Sequence, residues 1–373
     1  MTFDRDKVAI DAEGTHKRQS VCLALVGNPE VSISWAVSAM ELQFPPNAKR
    51  GLLVFPHPNL DVARNFAIDQ WRRSGADLRT EWLCLLPAED PVTWDVMPRL
   101  MSLGHPVSRA SNTFMIHSSV IEKTDAPWFK DGEWQGLEKV VLVQGLVQDQ
   151  SIFTPGPIST TEESAEQMIC VCVPSLGKTS LIWVGHIIQL SAPVASTRSL
   201  AVMVGYEVGD ARQRLTQMVI DMRPKPKYLL FIGDDNLPPP SGLQMIHETI
   251  QMREKAKAVS GLYYMKCGDP PQGILWRNTQ PGVLQPGRDF KVGDIVEVDG
   301  CGLDFVLFET SALAAMPPLR FQTIMKWVEG KGMLIQTEDA FFWDRFRETH
   351  GHGPLVDTRC RVGHLDARTN AFF

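Results

Sequence analysis

A chain that contains the same segment twice has its architecture set by what one copy can fold into. Residues 32–64, laid on residues 180–212 at a constant shift of 148, agree at nine of 33 positions without a gap. The identical pairs are Ser32/Ser180, Trp35/Trp183, Leu42/Leu190, Pro45/Pro193, Arg50/Arg198, Leu52/Leu200, Val54/Val202, Ala63/Ala211 and Arg64/Arg212. Average residue usage gives roughly two by chance. Each copy reads as a strand (residues 21–26; 169–173), a helix holding a tryptophan, a strand (51–55; 199–204), and a helix containing Ala-Arg. A third strand follows (81–86; 228–232), and 113–116 and 304–307 read as a further matched pair. Strands alternating with helices imply right-handed crossovers and a mostly parallel, mixed sheet, so the expected class is α/β in two tandem domains. The expected boundaries are a disordered tail at 1–19, a first copy at 20–147, a linker at 148–167 rich in Pro, Ser, Thr and Glu, and a second copy at 168–373.

Composition narrows the class further. A chain of 373 residues, 44% hydrophobic and 21% charged, is long enough for two ordinary globular domains. Lys+Arg number 37 against 43 Asp+Glu, a net charge of −6, which argues against a nucleic-acid coat or an anionic membrane surface. Seven cysteines, Cys22, Cys84, Cys170, Cys172, Cys267, Cys301 and Cys360, are scattered without zinc-ribbon spacing. No apolar stretch reaches membrane-spanning length and the first twenty residues are charged, so a reduced, cytoplasmic protein is expected.

The chemistry concentrates in copy two. An apolar run, residues 228–232, reads as a buried strand and ends in Gly233, Asp234, Asp235 and Asn236, followed by Leu237 and three prolines. The carboxyl edge of an open α/β sheet is where ligands bind, and oxygen donors gathered there suit Mg²⁺ or Mn²⁺ with a phosphate. A solvated turn is the plainer alternative for these residues alone. Four features then follow in order: this turn, with a capping-box pattern Ser241-x-x-Gln244 behind it; a strand ending in Tyr263, Tyr264 and Lys266; the glycine segment Asp299–Gly300–Cys301–Gly302–Leu303–Asp304; and Glu338–Asp339, with His364 about a helix later.

This order resembles the nucleotide-sugar-dependent glycosyltransferases of the GT-A fold, family 2-like, a Rossmann-like architecture. The resemblance covers residues 169–366 well and 21–129 more weakly. It implies that Asp234 and Asn236 stand at the outer positions of a DxD motif, Asn236 departing from the usual Asp. It implies that His364 is the late metal ligand, so that Asp234, Asn236 and His364 hold Mn²⁺ or Mg²⁺, with Asp235 as an alternative ligand. Glu338–Asp339 match the acidic pair that supplies a catalytic base. Arg212 matches an Ala-Arg-Asn helix near the nucleotide pocket, and Pro174, Lys178, Asp234 and Asp235 join it as candidate nucleotide contacts. The implied activity is metal-dependent transfer of a sugar from a nucleotide-diphospho-sugar, a UDP-sugar by default, to an acceptor hydroxyl on a saccharide, a protein or a hydroxymethylated DNA base.

Several features have plainer readings. Leu176–Gly177–Lys178–Thr179–Ser180 ends like a phosphate-binding loop but has Cys172 where its first glycine belongs. His186, His247, His350 and His352 read as packing or surface residues. Trp276 and Trp327 lie near loops and are candidates to stack on a sugar. Copy one has Ala88, Glu89 and Asp90 opposite the acidic turn and no late histidine, so it is expected to be degenerate and to pack against copy two. A nucleotidyltransferase, or a non-catalytic carbohydrate- or nucleic-acid-binding scaffold, are the alternative functions.

Overall fold

The computed structural model describes residues 20–40, 42, 49–74, 80, 82–88, 97, 107–110, 112–121, 126–131, 133–135, 141–142, 168–193, 196–266, 271–280, 283–286, 290–328, 332–366 and 371–373. The expected tail (1–19), the expected linker (148–167), Glu89, Asp90 and Cys267 lie outside these. The chain divides into two compact units, Met1–Gly156 and Pro157–Phe373. No helix among the described residues is long and apolar enough to cross a membrane.

In the first unit β1 (Ser20–Gly27), α1 (Ile33–Met40), β2 (Lys49–Pro56), α2 (Leu60–Arg73) and β3 (Trp82–Pro87) are followed by β4 (Val107–Ala110), β5 (Thr113–His117) and β6 (Val141–Leu142). They form one sheet in the order β2-β1-β3-β5-β4-β6. The first three strands are mutually parallel, and β5 runs antiparallel to both β3 and β4. Strand β1 is apolar and buried from Val21 to Val26 because it lies between β2 and β3 and is covered on both faces. Helix α2 buries Ala63, Ala67, Ile68 and Trp71 in a core with Cys22, Ala24, Val26, Leu83, Leu85 and Phe114.

The second unit opens with the same series. It comprises β7 (Met168–Ser175), α3 (Leu181–Gln189), β8 (Thr197–Val204), α4 (Val208–Asp221) and β9 (Tyr228–Ile232). Strands β1 and β7, strands β2 and β8, and helices α2 and α4 coincide residue for residue at a shift of 148. The chain continues through β10 (Asn236–Leu237), α5 (Gly242–Met252), β11 (Ala258–Leu262), β12 (Ile295–Glu297), β13 (Phe305–Glu309), α6 (Glu338–His350), β14 (Leu355–Arg361), β15 (Gly363–Asp366) and β16 (Ala371–Phe372). A seven-stranded mixed sheet has the order β8-β7-β9-β13-β11-β14-β12. Strand β13 is antiparallel to both β9 and β11, as β5 is to β3. The core under it contains Leu215, Val219, Phe231, Val306, Phe308, Phe342, Trp343 and Phe346, with Cys170 and Cys172 on the same face of β7. All six described cysteines are free and buried.

The capping box expected at Ser241 does not form. Ser241 has ψ 2, outside the extended region an N-cap needs, and makes no side-chain cap hydrogen bond. The chain enters α5 from a proline turn in which Gly242 N–H bonds the Pro239 carbonyl at 2.8 Å, and Gln244 bonds Glu248 instead. Trp276 packs against the core, whereas Trp327 is 70% exposed on the hairpin formed by Ile324–Val328 and Gly332–Gln336.

Candidate functional site

Strand β9 is fully buried, and the polar residues after it turn at the carboxyl end of the sheet. Every side of this turn is held. The Trp183 indole N–H donates to the Gly233 carbonyl at 2.8 Å, and Gly233 N–H donates to the Asp304 carbonyl at 2.9 Å. The Thr179 hydroxyl donates to the Asp234 carbonyl at 2.7 Å. Strand β10 then pairs antiparallel with β15, setting Asn236 opposite His364, and Leu365 N–H donates to the Asp235 carbonyl at 2.9 Å. The acidic turn and the late histidine, 128 residues apart in sequence, are therefore cross-strand neighbours.

The imidazole is aimed. His364 Nδ1 lies 2.8 Å from the Tyr264 carbonyl, which can only accept, so Nδ1 carries the proton. That turns Nε2 toward Asp235 Oδ1 at 3.7 Å, where it faces the carboxylate as a donor when protonated and is open to a ligand when not. A ring nitrogen fixed by a carbonyl behind it, with its other nitrogen free to ligate, is the arrangement of a metal-binding histidine. The other oxygen of Asp235 pairs with Lys266. Burial alone would raise the Asp235 carboxyl; His364 and Lys266 outweigh it and hold it below the usual range. Asp234 has no such cation. Burial, with Asp235 and Asp304 beside it, raises its pKa to about 6 against a hydrogen bond from Ser175. Asn236 is fully buried, and neither its Oδ1 nor its Nδ2 has a hydrogen-bond partner. An orphaned buried carboxamide costs about 1–3 kcal/mol and calls for a ligand.

Beside the turn lies a second cluster. Arg212, 3% exposed on α4, pairs with Asp304 through one terminal nitrogen and with Glu338 through the other. Burial pushes both the Asp304 and Glu338 carboxyls up, and Arg212 opposes it in each case. Glu338 is thus an anchor of α6. Asp339 accepts from the Thr337 hydroxyl and from Ala340 N–H at 2.8 Å through one oxygen, Oδ1. Pro174 is buried near the end of β7 and its side chain brings no polar group, and Lys178 is exposed three residues beyond the carboxyl end of that strand. Sequence reasoning missed Asp304, Tyr264 and Ser175 as members of the site. Asp304 stood in plain view at the end of the glycine segment, but only the pairing of β13 with β9 brings it beside the turn.

Five carboxylates (Asp234, Asp235, Asp304, Glu338, Asp339) thus gather at this end of the sheet, where Arg212 and Lys266 are the cations paired with them. The negative excess and the orphaned Asn236 oxygen fit a divalent cation. Among the described residues no three His, Cys, Asp or Glu side chains are grouped closely enough to hold a metal ion by themselves. An open site completed by substrate phosphates and water is how Mg²⁺ and Mn²⁺ are commonly held.

No family model and no curated protein matches the chain. Among solved structures, it is similar to A197 from STIV, 17% identical, with 55% of this chain and 92% of that one covered at a TM-score of 0.39. It is also similar to GalNAc-T7 crystallised with UDP, GalNAc and Mn²⁺, 9% identical, with 54% of this chain and 44% of that one covered at a TM-score of 0.38. The match thus spans less than half of the GalNAc-T7 chain.

Proposed function

We propose that the second unit is a metal-dependent glycosyltransferase that moves a sugar from a nucleotide-diphospho-sugar, with UDP-sugars the first donors to test, to an acceptor hydroxyl. The observation that carries this reading is the orphaned carboxamide of Asn236 facing a tautomer-fixed His364 across β10 and β15, at the carboxyl edge of an α/β sheet. Asn236, His364 and Asp234 would hold Mn²⁺ or Mg²⁺, with Asp235 beside them. When bound, the cation offsets the charge that develops on the departing diphosphate.

The chain's own residues do the rest. Asp339 takes the proton of the acceptor hydroxyl as its oxygen bonds to the anomeric carbon and the bond from that carbon to the diphosphate oxygen breaks. The centre passes through an oxocarbenium-like state, as in glycoside hydrolysis. Arg212 holds Glu338 and so fixes the start of α6, which keeps Asp339 in place; Glu338 is a positioning residue. Arg212 holds Asp304 through its other terminal nitrogen and is a candidate contact for the nucleotide. Pro174 and Lys178 are retained as candidate nucleotide contacts at the end of β7.

The test is thermal stability with Mn²⁺ crossed against UDP, GDP, ADP and CDP. One nucleotide diphosphate should raise the melting midpoint only when metal is present, by the mass action of a ligand that binds the folded state alone. Equal stabilisation with and without metal, or none with any pair, would sink the proposal.

A further inference from the structure

The position of Gly233 shows a cradle that the acidic turn does not complete alone. A methyl group on Gly233 would lie 2.6 Å from Asn236 Oδ1 and 3.0 and 3.1 Å from Cβ and Cγ of Asp304. The amide oxygen and the Asp304 side chain therefore border one small space, open only because residue 233 has no side chain. Asn236 lines it with an unpartnered polar group that is fully buried. Asp304 lines it with a carboxylate whose other side is held by Arg212.

The first unit carries a side chain at the matching position. Strand register matches Trp82 with Tyr228 and His117 with Glu309, since each pair is joined across equivalent strands. Counting along the strands sets Pro87 at the place of Gly233, Ala88 at Asp234 and Asn112 at Asp304. The buried arginine is kept: Arg64 donates to the Asn112 main-chain carbonyl at 2.7 Å where Arg212 pairs with the Asp304 carboxylate. Two adjacent positions and a third that folding brings beside them thus all differ between the units, and each difference removes either the void or a charge.

Resting on the function proposed above, we infer that Asp304 belongs to the cation site, supplying across Gly233 the negative charge that Asn236 lacks. This accounts for the departure at Asn236. Two carboxylates facing each other over a dry gap would repel, and a carboxamide supplies an oxygen donor without the second charge. Asp235 has Lys266 as its own cation, whereas Asp304 shares Arg212 with Glu338, so that pair of carboxylates keeps a net negative charge to set against the cation.

Mn²⁺ titration of the full-length chain, read from the electron paramagnetic resonance of the free ion with and without UDP, tests this. Asp304→Asn and Gly233→Ala should each weaken Mn²⁺ binding by about 10- to 100-fold. The double change Asp304→Asn with Asn236→Asp moves the carboxylate across the gap and should restore binding to within about threefold of wild type. A merely structural Asp304 would not be rescued this way. Wild-type affinity in Asp304→Asn, or no recovery in the double variant while its circular dichroism is native, overturns the inference. No Mn²⁺ binding by the wild type, with or without UDP, overturns the proposed function itself.

Discussion

Asp234 stands where a carboxylate is hard to charge, half-buried beside Asp235 and Asp304 with its pKa raised to about 6. As pH rises from about 4 to 6 the unfolded chain releases this proton while the folded chain keeps it, so stability falls across that window and stays lower above it. A bound divalent cation reverses the sign by favouring the charged form. Asp234→Asn should therefore raise the metal-free melting midpoint at pH 7, leave it unchanged at pH 4, and abolish stabilisation by Mn²⁺; a midpoint at pH 7 below wild type would refute this. The acidic pair on α6 separates in the same spirit. Asp339→Asn should cut turnover at least about 100-fold with nucleotide binding kept, because a base acts in the transition state. Glu338→Gln, which takes a charged partner from buried Arg212, should lower the melting midpoint as well as turnover. Equal effects of the two changes on stability would show that the roles are not divided in this way.

At the scale of elements, what is local was legible and what is long-range was not. Continuous apolar runs gave β1, β7 and β9 to within two residues, and the shift of 148 carried the boundaries from one copy to the other. Asp304 escaped because its partners lie 92 residues before it, at Arg212, and 71 before it, at Gly233, and nothing in the periodicity says that β13 inserts beside β9. The acidic pair was legible as a pair, but only the contact with Arg212 tells its members apart. Caps are local, yet Ser241 misleads, since it follows a proline turn with ψ 2 and its side chain makes no cap hydrogen bond. Asn59 and Ser180, in contrast, accept N–H bonds of their own helices at 3.1 Å. Ser180→Ala and Asn59→Ala should each cost about 1 kcal/mol, and Ser241→Ala less than about 0.5 kcal/mol, in urea unfolding followed separately by probes in each unit. Similar losses at Ser180 and Ser241 would contradict the observed geometry.

For the whole molecule, duplication raises the question of how many sites there are. Two units with the same opening elements suggest two cations per chain, but the side chains argue for one. The second unit joins Asp234, Asn236, Asp304 and His364 at one sheet edge. The first has Ala88 and Asn112 at two of those places and Pro87 in the cradle. Its arginine is also roofed over: Phe129 and Phe114 stack on the Arg64 guanidinium, their centroids 4.7 and 5.2 Å away. Asn65 straps Phe129 down through two 2.8 Å bonds to its main chain. Ligands lost from a hard-cation site that has few weaken it severely, and a packed aromatic roof leaves no room for a diphosphate. The full chain should therefore bind one Mn²⁺ in the presence of UDP, and Asp234→Ala should take the count to zero. Installing Ala88→Asp in that silenced chain should not restore binding, because Pro87, Asn112 and the Phe129 roof remain. Calorimetric stoichiometry decides it: a second equivalent in the wild type, or binding regained with Ala88→Asp, would show that the first unit keeps a working site.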